Sequence, residues 1–441
     1  MALRHRRLRP PRQTRLSVWY EHSRVGTLRK AADGGMEFSY DPAWIGAPGA
    51  FPVTSALPLS DRTFRGAVAF SAFDNLLPDS EGELRPRIAE RIAAAGTDVH
   101  SLLAALGRDC VGALQFLPEG EVPEPGPLRY RLLKNAEIAD DLGGLTAAPL
   151  GLERDEDFRI SIAGAQEKTA LLLLPEGWAK PHGITPTSHI FKTPMGVLPG
   201  PDRVDLSDSV ENEAFCLRLS AELGLPTAKA EIKTFDGQKA LVVERFDRRW
   251  ENGILRRLPQ EDFCQALGIP STQKYQKNGG PGIQDIMRHL QESDDPRADR
   301  EIFFKAQIFF FLIGATDGHA KNFSLHLGVG GRFRLAPLYD VLSLAPAIES
   351  GRLQRKRFRL AMAIDGKYGI DELVPRHFET TAVAGGLPAG EATRLLKELC
   401  LAMPGAVDRS EAALGPTIPA SVSGPIRRRA VAASAQMLAL L

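Results

Sequence analysis

A short polar segment, Asp317 to Asn322, holds the side chains in this sequence that are best suited to acid–base and metal chemistry. It follows an apolar stretch at residues 302–315, which is predicted to be a buried helix. It precedes two alternating apolar runs joined by a glycine-rich turn at 328–331. Because the two runs have similar lengths, the hairpin that they predict brings Asn322 and Asp340 together at its open end. A carboxylate beside an amide oxygen is an oxygen-only ligand set that suits Mg²⁺.

Asp317 lies five residues before Asn322, where a carboxylate can accept a proton from a hydroxyl group. The same spacing occurs in the D-x-x-x-x-N catalytic loop of protein kinases, and Asp340 takes the place of their second metal-binding aspartate. His319, inside the segment, is placed to contact a phosphate. The alternative is a polar turn in which Asp317 only caps the end of the preceding helix.

Two predicted strands flank a turn of small residues over 159–174. The turn resembles a Walker A loop only superficially, because the second glycine is missing and a strand-like run follows where a phosphate-binding helix should begin. A strand, a loop and another strand can instead lay backbone N–H groups over nucleotide phosphates. An ordinary hairpin turn is the alternative. The predicted phosphate-covering turn consists of Ala163, Gly164, Ala165, Gln166, Glu167 and Lys168.

Lys192 closes the next strand-like run just before Pro194, so its ammonium can reach a nucleotide phosphate. A helix is predicted to begin with a capping-box pair, Asp208 and Glu211, and Glu213 borders its apolar face. Glu213 is therefore a candidate partner for Lys192, as in kinases. A surface lysine and a solvated helix glutamate are the alternatives.

A buried strand at 241–247 runs into charged residues, which is typical of a hinge between two lobes. The backbone of Glu244, Arg245 and Phe246 is the predicted contact for an adenine edge.

Composition excludes several classes of protein. The chain has 441 residues, 55 Lys+Arg against 54 Asp+Glu and a net charge of +1, so it lacks the broad positive field of a stand-alone nucleic-acid binder. The four cysteines are scattered, which disfavours zinc and disulfides and predicts reduced core thiols. No apolar run is long enough to span a bilayer. We therefore expect a cytoplasmic protein without membrane contact.

Segments rich in proline and glycine, together with changes in the strand and helix patterns, divide the chain into four parts. An arginine-rich leader at 1–16 is predicted to be disordered, and a small β-rich unit with a helix over about 85–106 follows at 17–120. A Pro/Gly/Glu segment at 118–127 is the predicted linker. Strand-like runs then dominate residues 128–250 and helical patterns residues 251–441, so the body is predicted to be α+β with two lobes and an N-terminal cap.

With these residues in view, the chain resembles the HipA toxins, serine/threonine kinases of type II toxin–antitoxin systems, over nearly its whole length. The resemblance rests on motifs in both the cap and the body. These are Phe73–Ser80, Gly107–Asp109, Val111–Gly112, Phe158–Lys168, Leu225–Ile232, Val243–Arg249, Leu258–Asp262, Gly279–Gly282, Leu312–Asn322 and Tyr339–Asp340. The arginine-rich leader departs from the family.

The resemblance implies a two-lobed protein-kinase-like fold that binds ATP and Mg²⁺. Lys192 would bind ATP phosphates, residues 163–168 would cover them, and residues 244–246 would form the hinge. Asp317 would be the base, and Asn322 and Asp340 the Mg²⁺ ligands. The remaining residues of the implied nucleotide site are His319, Ala320, Lys321 and Tyr339.

The resemblance also implies regulation and partners. Ser161 aligns with an autophosphorylated serine whose modification expels the phosphate-covering loop and switches the enzyme off. A HipB-like helix-turn-helix antitoxin would carry most DNA contacts. The implied substrate is an aminoacyl-tRNA synthetase, glutamyl-tRNA synthetase first, whose phosphorylation stops growth and promotes persistence. A catalytically silent scaffold in a repressor complex and a small-molecule kinase on the same fold remain the alternatives.

Overall fold

The computed structural model describes residues 14–80, 82–124, 126–152, 157–164, 166–197 and 205–441. Most of the arginine-rich leader, and Ala165 of the predicted phosphate-covering turn, lie outside the described residues. The first strand begins at Arg15, so the predicted leader boundary at residue 16 is wrong, because Arg15 and Leu16 are already paired in a sheet. Among the described residues, we find no helix that is both long and apolar enough to cross a membrane.

The N-terminal cap is built on an antiparallel five-stranded sheet in the order β4-β3-β2-β1-β5. Phe38 and Phe116 pack their rings against Phe73 of a helix, and Val18 belongs to the same hydrophobic core. The elements are β1 (Arg15–Tyr20), β2 (Ser23–Lys30), β3 (Met36–Tyr40), α1 (Pro42–Ile45), β4 (Phe64–Arg65), α2 (Ala67–Asp74), α3 (Leu84–Arg91), α4 (Val99–Leu106) and β5 (Gln115–Pro118).

The single helix predicted over about 85–106 is wrong, since the chain breaks it into α3 and α4. Ala93 adopts a left-handed conformation between them, at φ 53°. Asp98 then begins α4 by accepting a hydrogen bond from the backbone N–H of Ser101. The break lets each helix turn its own apolar side toward the core of the cap.

A second sheet forms the smaller lobe of the body, with the strand order β10-β11-β9-β7-β8-β6. In its inner strand β7, Ala170, Leu171 and Leu172 are buried, whereas Leu173 is exposed. The elements are β6 (Tyr130–Leu132), α5 (Asn135–Gly143), β7 (Lys168–Leu174), β8 (Gly177–Pro181), β9 (His189–Lys192), α6 (Ser209–Glu222), β10 (Ala230–Phe235) and β11 (Gln238–Glu244).

Helix α6 begins where predicted, but its predicted capping box is wrong. The Asp208 carboxylate accepts a hydrogen bond from Arg352 at 3.1 Å instead of from its own helix. Glu211 pairs with Lys239 of the neighbouring strand. Contacts from distant parts of the chain have replaced the local pattern.

The larger lobe is mainly helical and surrounds α9, whose phenylalanines are buried. The predicted hairpin is confirmed, with Leu325 opposite Leu335 and Leu327 opposite Phe333. The elements are β12 (Arg248–Glu251), β13 (Ile254–Arg257), β14 (Gln260–Asp262), α7 (Phe263–Ala266), α8 (Ile283–His289), α9 (Pro296–Ile313), β15 (Ser324–Leu327), β16 (Phe333–Leu335), α10 (Ala345–Glu349), β17 (Arg359–Ile364), β18 (Lys367–Gly369), α11 (Pro375–Ala384), α12 (Glu391–Leu414) and α13 (Ala420–Leu440). The four cysteines are free and buried, as predicted.

The cap is joined to the body by a buried cluster of charges around Asp109. Its carboxylate lies 2.8 Å from Arg248, 3.1 Å from Arg257 and 3.4 Å from Arg245. Asp247 accepts further hydrogen bonds from Arg245 and Arg248. Burial opposes ionisation of Asp109, but the three guanidinium groups outweigh it and hold its pKa far below the usual range. Buried ion pairs therefore hold the cap against the predicted hinge and the strands that follow it.

Candidate active site

A cavity of about 300 Å³ lies where the two lobes and the cap meet. It has the size and the mixed lining typical of a small-molecule site. Most of the predicted site residues line it, and they come from all the segments singled out in the sequence. These are Ala163, Gly164, Gln166, Lys168, Lys192, Glu244, Arg245, Phe246, Asp317, His319, Lys321, Asn322, Tyr339 and Asp340.

The loop that carries Asp317 is closed by hydrogen bonds to its own backbone. The Asp317 carbonyl accepts from the Asn322 side-chain amide and from the His319 N–H, both at 2.7 Å. Gly318 lies so close to Phe310 that an added Cβ would come within 2.3 Å of the ring. The side-chain nitrogen of Asn322 is therefore engaged in the loop, which leaves its oxygen as the group able to bind a cation.

Lys192 lies between two carboxylates at the cavity. Its ammonium lies 2.7 Å from Glu213 and 2.7 Å from Asp340, so the predicted pairing with Glu213 is present. Burial opposes the charge on Lys192, but the two carboxylates outweigh it and raise its pKa above the usual range. Burial raises the pKa of Glu213, although Lys192 opposes the shift.

Asp340 follows the hairpin in a conformation that is rare for a residue with a side chain, at φ 58°. Such backbone strain persists only where surrounding contacts hold it, and it clusters at functional sites. Burial alone would raise the pKa of Asp340, but Lys192 and Lys168 outweigh burial and lower that pKa to about 2. Asp340 is therefore an anion at neutral pH.

Lys168 gives the cavity a second ammonium beside Lys192. Burial and the charge of Lys192 lower the pKa of Lys168 to about 8. Its Nζ atom donates to the Ala163 carbonyl at 2.5 Å, and a Cβ at Gly164 would come within 2.7 Å of it. Two neighbouring ammonium groups at one cavity fit a ligand that carries several negative charges, such as a polyphosphate.

Two members of the predicted phosphate-covering turn behave differently. Gln166 donates to the Thr193 carbonyl at 2.9 Å and borders the cavity. Glu167 accepts from Thr146 at 2.9 Å and does not line it. The Glu167 side chain therefore lies away from the cavity, whereas the predicted role of its backbone N–H stays a prediction.

The side chains of the predicted hinge lie in different surroundings, while the predicted adenine contact is made by its backbone and stays a prediction. Arg245 borders the cavity, but its guanidinium is directed into the buried cluster and bonds Asp247 and Thr187. Phe246 packs its ring against Tyr339, with the ring centroids 5.6 Å apart. Any contact of Arg245 with a ligand is thus limited to its backbone, whereas Phe246 offers an apolar face.

The segment Asp317–Asn322, the predicted catalytic loop, contacts the cap, which the sequence did not predict. Lys321 donates to the Asn75 side chain at 2.8 Å and to Asp262 at 2.9 Å. Ala320 is buried and lies outside the cavity lining, since its N–H bonds the Lys274 carbonyl. Among the other lining residues that sequence reasoning missed are Asp79, Gln265, Lys274 and Tyr275. The motif Phe73–Ser80 was the available signal for the cap's part in the site.

Ser161 does not line the cavity. It is fully buried, its hydroxyl donates to the Leu76 carbonyl at 2.7 Å, and its N–H bonds the Asp109 carbonyl at 2.9 Å. Its neighbours Phe158, Ile160 and Ile162 belong to the hydrophobic core of the cap. The segment that leads into the predicted phosphate-covering turn is therefore packed on the cap.

The fold and site define a two-lobed, protein-kinase-like α+β protein with a β-rich cap. Residues 160–407 match the model of the HipA-like C-terminal domain, and residues 16–117 match that of the HipA N-terminal domain. The chain belongs to the HipA family, which confirms the resemblance read from its motifs.

Several relatives cover most of the chain. It is 37% identical over 334 residues to Y4mE of Sinorhizobium fredii, a protein named as a candidate kinase, covering 74% of this chain and 77% of the relative. It is 28% identical over 353 residues to the serine/threonine-protein kinase toxin HipA of Shewanella oneidensis, covering 77% and 76%. The solved structure of Shewanella oneidensis HipA with HipB and its operator DNA matches at a TM-score of 0.80 and 25% identity, covering 96% of this chain and 98% of that one.

A prediction about stability follows from the ion pairs of Lys192. We expect Lys192→Met to lower the free energy of unfolding by about 3 kcal/mol near pH 8, because Glu213 is left buried without its cation. This loss of stability should become smaller as the pH falls toward the ordinary pKa of a glutamate. The reason is that Glu213 without its cation has a raised pKa in the folded state, so at low pH it stays neutral and costs little. Urea denaturation from pH 5 to pH 8 measures it, with the exposed Lys229→Met as control. A loss of stability that does not change with pH would contradict the interpretation that the unpaired, ionised Glu213 causes it.

Proposed function

We propose that the protein is an ATP- and Mg²⁺-dependent serine/threonine protein kinase and the toxin of a toxin–antitoxin module. One observation carries the proposal. Lys192 paired with Glu213, the anion Asp340 and the loop residues Asp317 and Asn322 all border the same cavity. Each of these side chains has a role in phosphoryl transfer, and membership of the HipA family supports the same chemistry.

Each of these residues has a separate role in the proposed phosphoryl transfer. Bound Mg²⁺ would neutralise charge on the phosphates, and Asp340 with the side-chain oxygen of Asn322 would hold it. Lys192 and Lys168 bind and orient the phosphates. Asp317 accepts the proton of the substrate hydroxyl while that oxygen bonds the γ-phosphorus, and the bond from this phosphorus to the β,γ-bridging oxygen breaks to release ADP.

The substrate and partners that we propose rest on the family. The Shewanella oneidensis relative was solved in a complex of HipA, HipB and operator DNA. A HipB-like antitoxin is proposed here for the same reason, and it would carry most DNA contacts, because a chain with a net charge of +1 has little excess positive charge of its own. The proposed substrate is a serine of an aminoacyl-tRNA synthetase, with glutamyl-tRNA synthetase tested first.

Autophosphorylation of Ser161 is the proposed off switch. Its hydroxyl is buried against the Leu76 carbonyl, so phosphorylation requires the segment to leave the cap. A phosphate adds a charge of about −1.5 to −2 and three acceptor oxygens, which do not fit back against a carbonyl. Once expelled, the segment takes the phosphate-covering turn away from the cavity.

Two aspartates should fail in different ways. We expect Asp317→Asn to lower turnover by about 10²- to 10⁴-fold while the dissociation constant for Mg²⁺–ATP changes less than about twofold, because the base acts in the chemical step. Asp340→Asn should weaken Mg²⁺–ATP binding itself by about tenfold or more, because it removes a charged metal ligand. Calorimetric binding and transfer of labelled phosphate to glutamyl-tRNA synthetase measure the two effects. Normal turnover in Asp317→Asn would end the assignment of the base.

Ser161 gives a second test. We expect incubation with Mg²⁺–ATP to place phosphate on Ser161, and the phosphorylated fraction to bind ATP at least about tenfold more weakly. Ser161→Ala should keep the nucleotide site usable, at a stability cost of about 1 kcal/mol for the lost hydrogen bond to Leu76. Mass spectrometry locates the phosphate, and calorimetry compares the fractions. Stoichiometric phosphorylation with unchanged ATP affinity would refute the switch.

A further inference from the structure

Tyr275 contacts the proposed base directly. Its hydroxyl donates to Oδ1 of Asp317 at 2.6 Å, and both residues border the cavity. Among the residues that the structure describes, Oδ2 of the same carboxylate has no hydrogen-bond donor. The base therefore has one oxygen fixed and one oxygen available.

The position of Tyr275 is set by its own backbone turn. The Tyr275 carbonyl accepts from the N–H groups of Asn278 at 2.9 Å and Gly280 at 3.1 Å. A Cβ at Gly280 would come within 1.9 Å of the Gln273 carbonyl, so the turn closes only with a glycine there. The glycine-rich segment at 279–282 is thus a tight support for the tyrosine.

The ring and the preceding residue add two further contacts. The Tyr275 ring meets the His319 ring edge to face, with the centroids 4.8 Å apart. Lys274 pairs with Asp79 of the cap at 2.7 Å, and its carbonyl accepts from the N–H of Ala320 at 3.3 Å. The tyrosine is therefore anchored both to the loop that carries Asp317 and to the cap.

We propose that Tyr275 is a positioning residue for phosphoryl transfer, whose hydroxyl holds the Asp317 carboxylate so that Oδ2 accepts the proton of the substrate hydroxyl. The proposal rests on the kinase function proposed above. A hydrogen bond donated to a carboxylate is strong, and it restricts rotation of the group. Reactions that depend on a positioned base lose rate when that base can turn away.

The hydroxyl remains a donor throughout the working pH range. Burial, followed by the negative charge of Asp317 and the hydrogen bond to it, raises the pKa of Tyr275 well above its usual range. Tyr275 therefore stays protonated and can donate its hydrogen to the Asp317 carboxylate.

Tyr275→Phe is the decisive variant, since it removes the hydroxyl and keeps the ring against His319. Steady-state ADP release is measured with Mg²⁺–ATP, with water and then glutamyl-tRNA synthetase as acceptor. We expect kcat to fall about 10- to 100-fold, the range set by a hydrogen bond to a charged group, while KM for ATP changes less than about twofold. Tyr130→Phe, on the exposed strand β6, is the matched control.

A second comparison separates positioning from support of the fold. In an Asp317→Asn background, Tyr275→Phe should lower the residual turnover less than about twofold, because the tyrosine acts through the carboxylate. Loss of ATP affinity in Tyr275→Phe, or an equal loss in both backgrounds, would overturn the proposal. A normal kcat in the Tyr275→Phe variant of an active enzyme would overturn the proposal as well. A wild-type protein that turns over no ATP with either acceptor would overturn the kinase function, and this inference with it.

Discussion

The ammonium of Lys192, held between Glu213 and Asp340, is the interaction on which the site depends. It joins strand β9, helix α6 and the segment after the hairpin, which are far apart in the sequence. A buried ion pair is costly to desolvate, and it persists where its geometry is satisfied on both sides. Here the lysine also keeps Asp340 ionised in a strained backbone conformation. The same cation thus organises the lobes and sets the charge state of the proposed metal ligand.

The cap is a structural part of this site. Asp109 connects it to Arg245 of the predicted hinge and to Arg248 and Arg257 of the following strands. Asn75 connects it to Lys321 of the proposed catalytic loop. Adjacent to Asn75, the Leu76 carbonyl holds the Ser161 hydroxyl. The proposed release of Ser161 would therefore disturb a segment of the cap that also contacts the proposed catalytic loop. This arrangement explains in physical terms how modification of a buried serine can reach the chemistry.

Local patterns in the sequence predicted much of the candidate site. The hairpin followed from two alternating runs and a glycine turn, and the Asp317–Asn322 spacing placed both residues at one cavity. The prediction for Lys192 and Glu213 succeeded because a strand end and a helix face fix their directions. Local reasoning failed where distant residues compete, as when Arg352 takes the carboxylate of Asp208.

Other features carried no local signal at all. Tyr275 and Lys274 lie in an irregular loop, so neither periodicity nor spacing indicates that one reaches Asp317 and the other reaches Asp79. Asp109 was part of a family motif, but its three arginine partners follow it by more than a hundred residues. Such contacts are set by the packing of the cap against the body, which only the three-dimensional structure shows.

Proton uptake on binding of Mg²⁺–ATP tests the central account most directly. Lys168 has a pKa of about 8, so near that pH roughly half of it is neutral, and bound phosphates should draw a proton onto it. Calorimetric titration at pH 8 in two buffers of different ionisation enthalpy should show binding with uptake of up to about half a proton. Lys168→Arg should bind with that uptake abolished. Failure of the wild-type protein to bind Mg²⁺–ATP, or binding with equal uptake in the variant, would contradict the account.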